Sequence, residues 1–188
     1  MRRLFPSVGL AAAASIVALV TCTGCSPTVI PPSAPPVPVP APAPAPAPAP
    51  VADLPTGDWR DWALTPGTWD YRRDERGSVA LYGQPGGDAE LTIRCDRAAG
   101  RVYLSRRGTA GAGGLPLTIR TSSMLQPMTA LPTGGEPDYL AVALDPRDPV
   151  LDAMGFSRGR FIVETATMRP LVIPAWAEVL RVAEDCRL

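Results

Sequence analysis

Few residue types in this chain can do chemistry, and what is missing narrows the field further. There is no histidine, and neither lysine nor asparagine occurs; all eighteen basic residues are arginine. Without histidine there is no Ser-His-Asp triad, no Cys-His pair and no imidazole ligand for zinc. Without lysine there is no Schiff base, no Ser-Lys dyad and no P-loop lysine. Carboxylate pairs, hydroxyls, arginine clamps and four cysteines remain. The acids are scattered and form no hydrolase motif. FSRGRF gathers Ser157, Arg158 and Arg160 around a glycine, and guanidinium groups on a loop match carboxylate or phosphate geometrically. Ion pairs with Glu164 or Asp185 are the structural alternative. Trp59 and Trp62, with Trp69 nearby, place three of the four tryptophans at the start of the folded region. They form either an aromatic platform for carbohydrate or peptide, or a cap on the core. RRGTAGAGGLP (106–116) lacks the lysine of a phosphate loop and runs into a strand rather than a helix, so it reads as a hairpin loop. None of these patterns calls for a cofactor or a metal ion.

The first two cysteines are explained by what surrounds them. Arg2 and Arg3 precede Val8–Val20, an apolar run broken only by Ser15. As a helix it measures roughly 20 Å, short for a bilayer span and suited to a signal sequence. VTCTGCSP then closes it, and proline-rich chain follows at once, which is no setting for a redox dithiol. This leader resembles that of bacterial lipoproteins, whose signal ends in a lipobox with a lipidated cysteine. Cys25, preceded by the small Gly24, fits the cleavage site; Cys22, with Leu19 three residues before it, is the alternative. The resemblance implies a membrane partner through the N-terminal lipid. With Ser26 next, it also implies export to the outer membrane of a Gram-negative envelope, facing the periplasm. Acyl chains contributing about 0.8 kcal/mol per buried CH₂ would anchor it.

Three segments follow: 1–25 as signal peptide, 26–55 as linker and 56–188 as a β-rich globular domain. Half of the residues from Pro27 to Pro50 are proline, ending in strict Ala-Pro alternation. Proline fixes φ, removes a donor and drives its predecessor out of the α region, so polyproline II or disorder is expected. At about 3.1 Å per residue such a spacer reaches roughly 75 Å.

Beyond it, short alternating stretches broken by glycine and proline predict strands over 67–73, 78–83, 89–96, 101–107, 116–122, 139–144, 160–166 and 169–174. In AELTIRCD, Leu91, Ile93 and Cys95 take one face while Thr92, Arg94 and Asp96 take the other. DPVLDAMG carries an N-cap Asp, a first-turn Pro and a terminal Gly, and predicts a short helix. PAWAEVLRVAEDCR predicts a C-terminal helix with Trp176, Val179, Ala183 and Cys186 on its apolar stripe and Arg181, Glu184 and Asp185 off it. The expected fold is mainly β (α+β): a small antiparallel sandwich or barrel carrying these two helices. Cys95 and Cys186 both face inward, and an oxidising compartment would join them as a disulfide.

LDAMGFSRGRF, PAWAEVLRVAEDCR and the upstream LTIRC resemble envelope lipoproteins of alphaproteobacteria, a likeness that brings no activity with it. More distantly, the spacing of the two cysteines is similar to accessory proteins associated with type VI secretion. Acids and bases balance at eighteen each, which speaks against a nucleic-acid partner. The expectation is a non-enzymatic, lipid-anchored envelope protein presenting a binding or structural domain to an envelope protein or the cell wall. The alternatives are a carboxylate-dependent cell-wall hydrolase and an inhibitory or accessory partner of another envelope protein.

Overall fold

The computed structural model describes residues 54–188, so the signal sequence, Cys22 and Cys25, and the proline-rich tract lie outside the described residues. A short 3-10 turn, Trp59–Asp61, is capped by the Asp58 carboxylate, which accepts from the Arg60 amide at 2.9 Å. Nine strands follow: β1 (Thr68–Asp74), β2 (Gly77–Gly83), β3 (Leu91–Asp96), β4 (Arg101–Arg107), β5 (Leu115–Arg120), β6 (Leu125–Pro132), β7 (Tyr139–Leu144), β8 (Arg160–Thr165) and β9 (Met168–Pro174). Helix α1 (Pro149–Gly155) lies between β7 and β8, and α2 (Ala177–Arg187) ends the chain. The strands form one antiparallel sheet in the order β1-β2-β3-β4-β7-β6-β5-β8-β9, not closed into a barrel. The mainly β reading with two helices therefore describes the molecule.

Local chemistry sets the turns. At the β1–β2 hairpin the Asp74 carboxylate accepts from the amides of Arg76 and Gly77, an Asx-type turn. Gly77 sits at φ 145°, and a Cβ there would lie 2.6 Å from the Cys95 carbonyl oxygen, so the turn needs glycine. RAAG makes the β3–β4 turn, with the Asp96 carboxylate accepting from the Ala99 amide at 3.0 Å.

The sheet folds over at β6. Leu125–Ala130 pair with β5, whereas only Leu131 and Pro132 pair with β7. Both halves turn their apolar residues into a single core, where Ile93, Leu104 and Leu140 of one half join Ile119, Phe161 and Ile173 of the other. The outer strands β1 and β9 are tied without forming a ladder. Just before β1, Thr65 exchanges backbone and side-chain hydrogen bonds with Val172 of β9, both at 2.9 Å. The Trp69 indole donates to the Pro174 carbonyl at 3.0 Å and meets Tyr82 edge-on.

Two charged side chains are buried among the described residues, Arg106 and Asp185. Arg106, 4% exposed, reaches from β4 to the β8–β9 hairpin and donates to the carbonyls of Val163 and Arg169. The register slips there between Val163 and Thr165, next to the Val163 carbonyl that Arg106 takes. Burial lowers its pKa to about 10. The 106–116 stretch is thus partly β4 and partly a connection between strands that are not neighbours, rather than a hairpin loop. It crosses from one half of the sheet to the other.

Helix α2 packs against β2 and β3 and buries Val179, Val182 and Ala183. The Cys95–Cys186 disulfide joins its last turn to β3, with Cα atoms 5.3 Å apart. Two details correct the expected stripe. Trp176 precedes the first helical turn with an extended backbone and is half exposed instead of facing the core. Asp185, expected outside, is buried: it accepts from the Tyr71 hydroxyl at 2.5 Å and from Arg73 at 2.6 Å. The Arg181 guanidinium lies 3.8 Å from the Tyr71 ring centre, so α2 grips β1 through Tyr71 from two sides and through Arg73. Gly155 ends α1 against Leu180 of α2, where a Cβ would clash with the leucine side chain.

Candidate functional site

The residues singled out in the sequence fall into two places. Ser157 is nearly buried, accepts from the Ser122 amide at 3.0 Å and donates to the Arg160 carbonyl at 2.5 Å, knitting the β5–β6 turn to the entrance of β8. The Arg158 amide bonds the Ser122 hydroxyl, and the Arg158 side chain is exposed. The Arg160 guanidinium donates to the Trp62 carbonyl. It thus fastens the entering chain to the sheet and pairs with neither suggested acid. Glu164 is taken by Arg120 at 2.8 Å, and Asp185 by Tyr71 and Arg73. FSRGRF acts here as a structural clasp.

Trp59 and Trp62 line a hollow of about 470 Å³ together with Leu54, Arg60, Arg120 and Glu164. The Arg60 guanidinium stacks over Trp59 at 4.8 Å. Both tryptophans are half-buried, whereas Trp69 belongs to the core. The structure brings Trp62 and Arg160 together but separates both from any catalytic grouping of acids.

A larger concavity lies on the outward face of β1, β2, β3, β4 and β7, and it follows from strand register. Asp70, Leu81, Thr92, Ser105 and Ala141 are consecutive cross-strand partners. Two residues along each strand, the neighbouring row reads Arg72, Val79, Arg94, Tyr103 and Ala143. On the other side stand Arg107 and its partner Tyr139. Between Arg72, Arg94 and Tyr103 on one side and Arg107 and Tyr139 on the other, the row of Asp70, Leu81, Thr92, Ser105 and Ala141 makes a trough across the strands. At about 4.8 Å per strand it runs roughly 19 Å. Its floor and ends open as two adjoining hollows of about 380 and 650 Å³ that share Tyr139. The loop 84–89 and Pro137 wall the larger one.

Electrostatically the walls are closed circuits. Arg72 pairs with Asp70 at 3.0 Å, and Arg94 with Asp74 at 2.8 Å. Arg76 pairs with Asp96 at 2.6 Å, while Arg107 reaches Glu90 and, at 3.8 Å, Asp88. The Arg94 hydrogen bond holds the Asp74 carboxyl below its ordinary range, and Arg76 does the same to Asp96. Both bonds from Arg94 to Asp74 leave through Nη1. Tyr139 donates to the Ala89 carbonyl at 2.7 Å, which fixes its ring, and burial pushes its phenol up. Thr92, Ser105, Thr133 and Tyr103 line the smaller hollow with hydroxyls.

Sequence reasoning placed Thr92 and Arg94 on an outward face but did not find this site. The alternation in RVYLSRR already turns Tyr103 and Ser105 outward; which residues stand beside them depends on register, which no single strand encodes. Among the described residues no group of His, Cys, Asp and Glu could hold a metal ion, and no helix is long and apolar enough to cross a membrane. No protein-family model, curated protein or solved structure matches this chain.

Proposed function

We propose that this chain is a membrane-anchored envelope lipoprotein, tethered through Cys25 or Cys22, whose disulfide-stapled β domain is a non-catalytic binding module in the periplasm. The single observation behind the binding role is the trough: an open, side-chain-lined surface rather than an enclosed cleft. Its ion pairs support recognition over hydrolysis. A glycosidase or related hydrolase needs a carboxyl raised enough to give up a proton near neutrality. The carboxyls with shifted proton affinity here, Asp58, Asp74, Asp96 and Asp185, all shift down. The Cys95–Cys186 bond accords with an oxidising compartment, and the leader with lipid attachment. Intact-mass spectrometry of the mature protein from membranes tests the reading. A diacyl- or triacyl-modified cysteine at the N-terminus is expected. An unmodified N-terminus, or a cytosolic chain with its leader intact, would overturn it.

A further inference from the structure

The trough points to the class of ligand, an inference that rests on the binding-module reading just given. We propose that it takes an uncharged, hydroxyl-rich polymer lying across the strands: a glycan chain.

Peptides that bind sheets ordinarily add to an unpaired strand edge and use main-chain hydrogen bonds. Along the trough, β2, β3, β4 and β7 each have a strand on both sides, and β2, β3 and β4 pair through the trough residues themselves. The main-chain groups of β2, β3 and β4 are thus engaged within the sheet. Recognition must therefore come from side chains, and those present are hydroxyls, guanidinium N–H groups and tyrosine faces.

Charge discriminates next. An anionic polymer would be met by arginines free of acids, since phosphate recognition draws on unneutralised positive charge. Here Arg72, Arg76, Arg94 and Arg107 are each matched by a carboxylate at the trough wall. What such pairs offer is direction without net charge: fixed N–H donors beside fixed carboxylate acceptors. That is complementary to a ligand whose every unit carries hydroxyls able to donate and accept. Tyr103 and Tyr139 stand on opposite sides of the trough floor, in the rows of Arg94 and Arg107. Their rings offer apolar faces to the C–H side of a sugar; the Tyr139 hydroxyl is held by the Ala89 carbonyl, and that of Tyr103 is left for water or sugar hydroxyls. The floor residues Leu81, Thr92, Ser105 and Ala141 are short enough to let a chain settle between those walls.

The test is titration calorimetry of the full chain in detergent micelles with a soluble tetrasaccharide of β-1,4-linked N-acetylglucosamine, beside a short acidic peptide. Hydrogen exchange read by mass spectrometry locates the contact. The expected result is saccharide binding with protection confined to 68–72, 79–107 and 137–143, and about tenfold weaker affinity for Tyr103→Ala. Ser105→Trp, which fills the floor, should abolish binding, and Arg147→Ala, away from the trough, should leave it unchanged. Equal melting temperatures show that the variants are folded. Peptide binding in the trough without saccharide binding overturns the glycan assignment and keeps the binding module. Binding of neither probe, or saccharide protection centred on Trp59 and Trp62, also overturns it. An unlipidated N-terminus with saccharide binding intact would instead sink the anchoring and leave the trough's ligand standing.

Discussion

Asp185 shows how much one side chain can differ from its place in a pattern. On a helical wheel it falls off the apolar stripe, yet it is 5% exposed and holds β1 to α2. The wheel counts only the helix's own residues; the burial comes from Tyr71 and Arg73, which no local pattern links to position 185. Cys95 and Cys186 were legible for the opposite reason, because each sits on the inward face of a strongly periodic element. Burial pushes the Asp185 carboxyl up, but hydrogen bonds from Tyr71 and Arg73 outweigh it and hold the pKa below its ordinary value. Its contribution to stability is therefore complete above the unfolded carboxyl value of about 4 and is lost as pH falls through the lower folded value. Asp185→Ala should lower unfolding free energy at neutral pH by roughly 2 kcal/mol, the scale of hydrogen bonds to a charged group. Urea titrations at several pH values check this: the gap between wild type and variant should shrink in acid. A gap constant from pH 7 to pH 2 would contradict the assignment.

Among the elements, eight strands and both helices were legible, because alternation and turn residues agree in each. β6 was not. TSSMLQPMTALP has two prolines and no clean alternation, and proline argues against a central strand. The structure explains the exception. Although β6 stands between β7 and β5, its far side is unpaired by β7 over Leu125–Ala130, so Pro127 costs no ladder donor there. Likewise Pro116 lies just before the β5–β8 pairing begins at Leu117. The last helix is held by packing, by Tyr71 and by the disulfide together. Replacing Cys95 and Cys186 with serine releases a closed loop of 91 residues, and the chain-entropy model sets the loss at up to about 4–5 kcal/mol. Thermal unfolding should move well down, and amide exchange should quicken first in Ala177–Arg187. A variant melting with wild type would show that the bridge constrains nothing.

Across the whole molecule, the proposed function divides the labour: a leader and proline tract for placement, and a folded domain for recognition. Composition is what suggests that division, and a chain without histidine or lysine leaves fewer kinds of catalytic chemistry open. The trough stayed hidden because it belongs to five strands at once. Placement has its own test: Cys25→Ser should move the protein from the membrane pellet to the soluble or unprocessed fraction, with the domain's melting unchanged. Retention in the pellet would shift the lipid to Cys22. Finally, if the proposed lipid anchor gathers many copies on one bilayer, the ties from Thr65 to Val172 and from Trp69 to Pro174 matter most there. Lateral confinement raises local concentration, and bare strand margins would then zip neighbouring copies into fibrils. With Thr65 and Trp69 bound to β9, copies crowded together by the proposed anchor would have less free margin to pair.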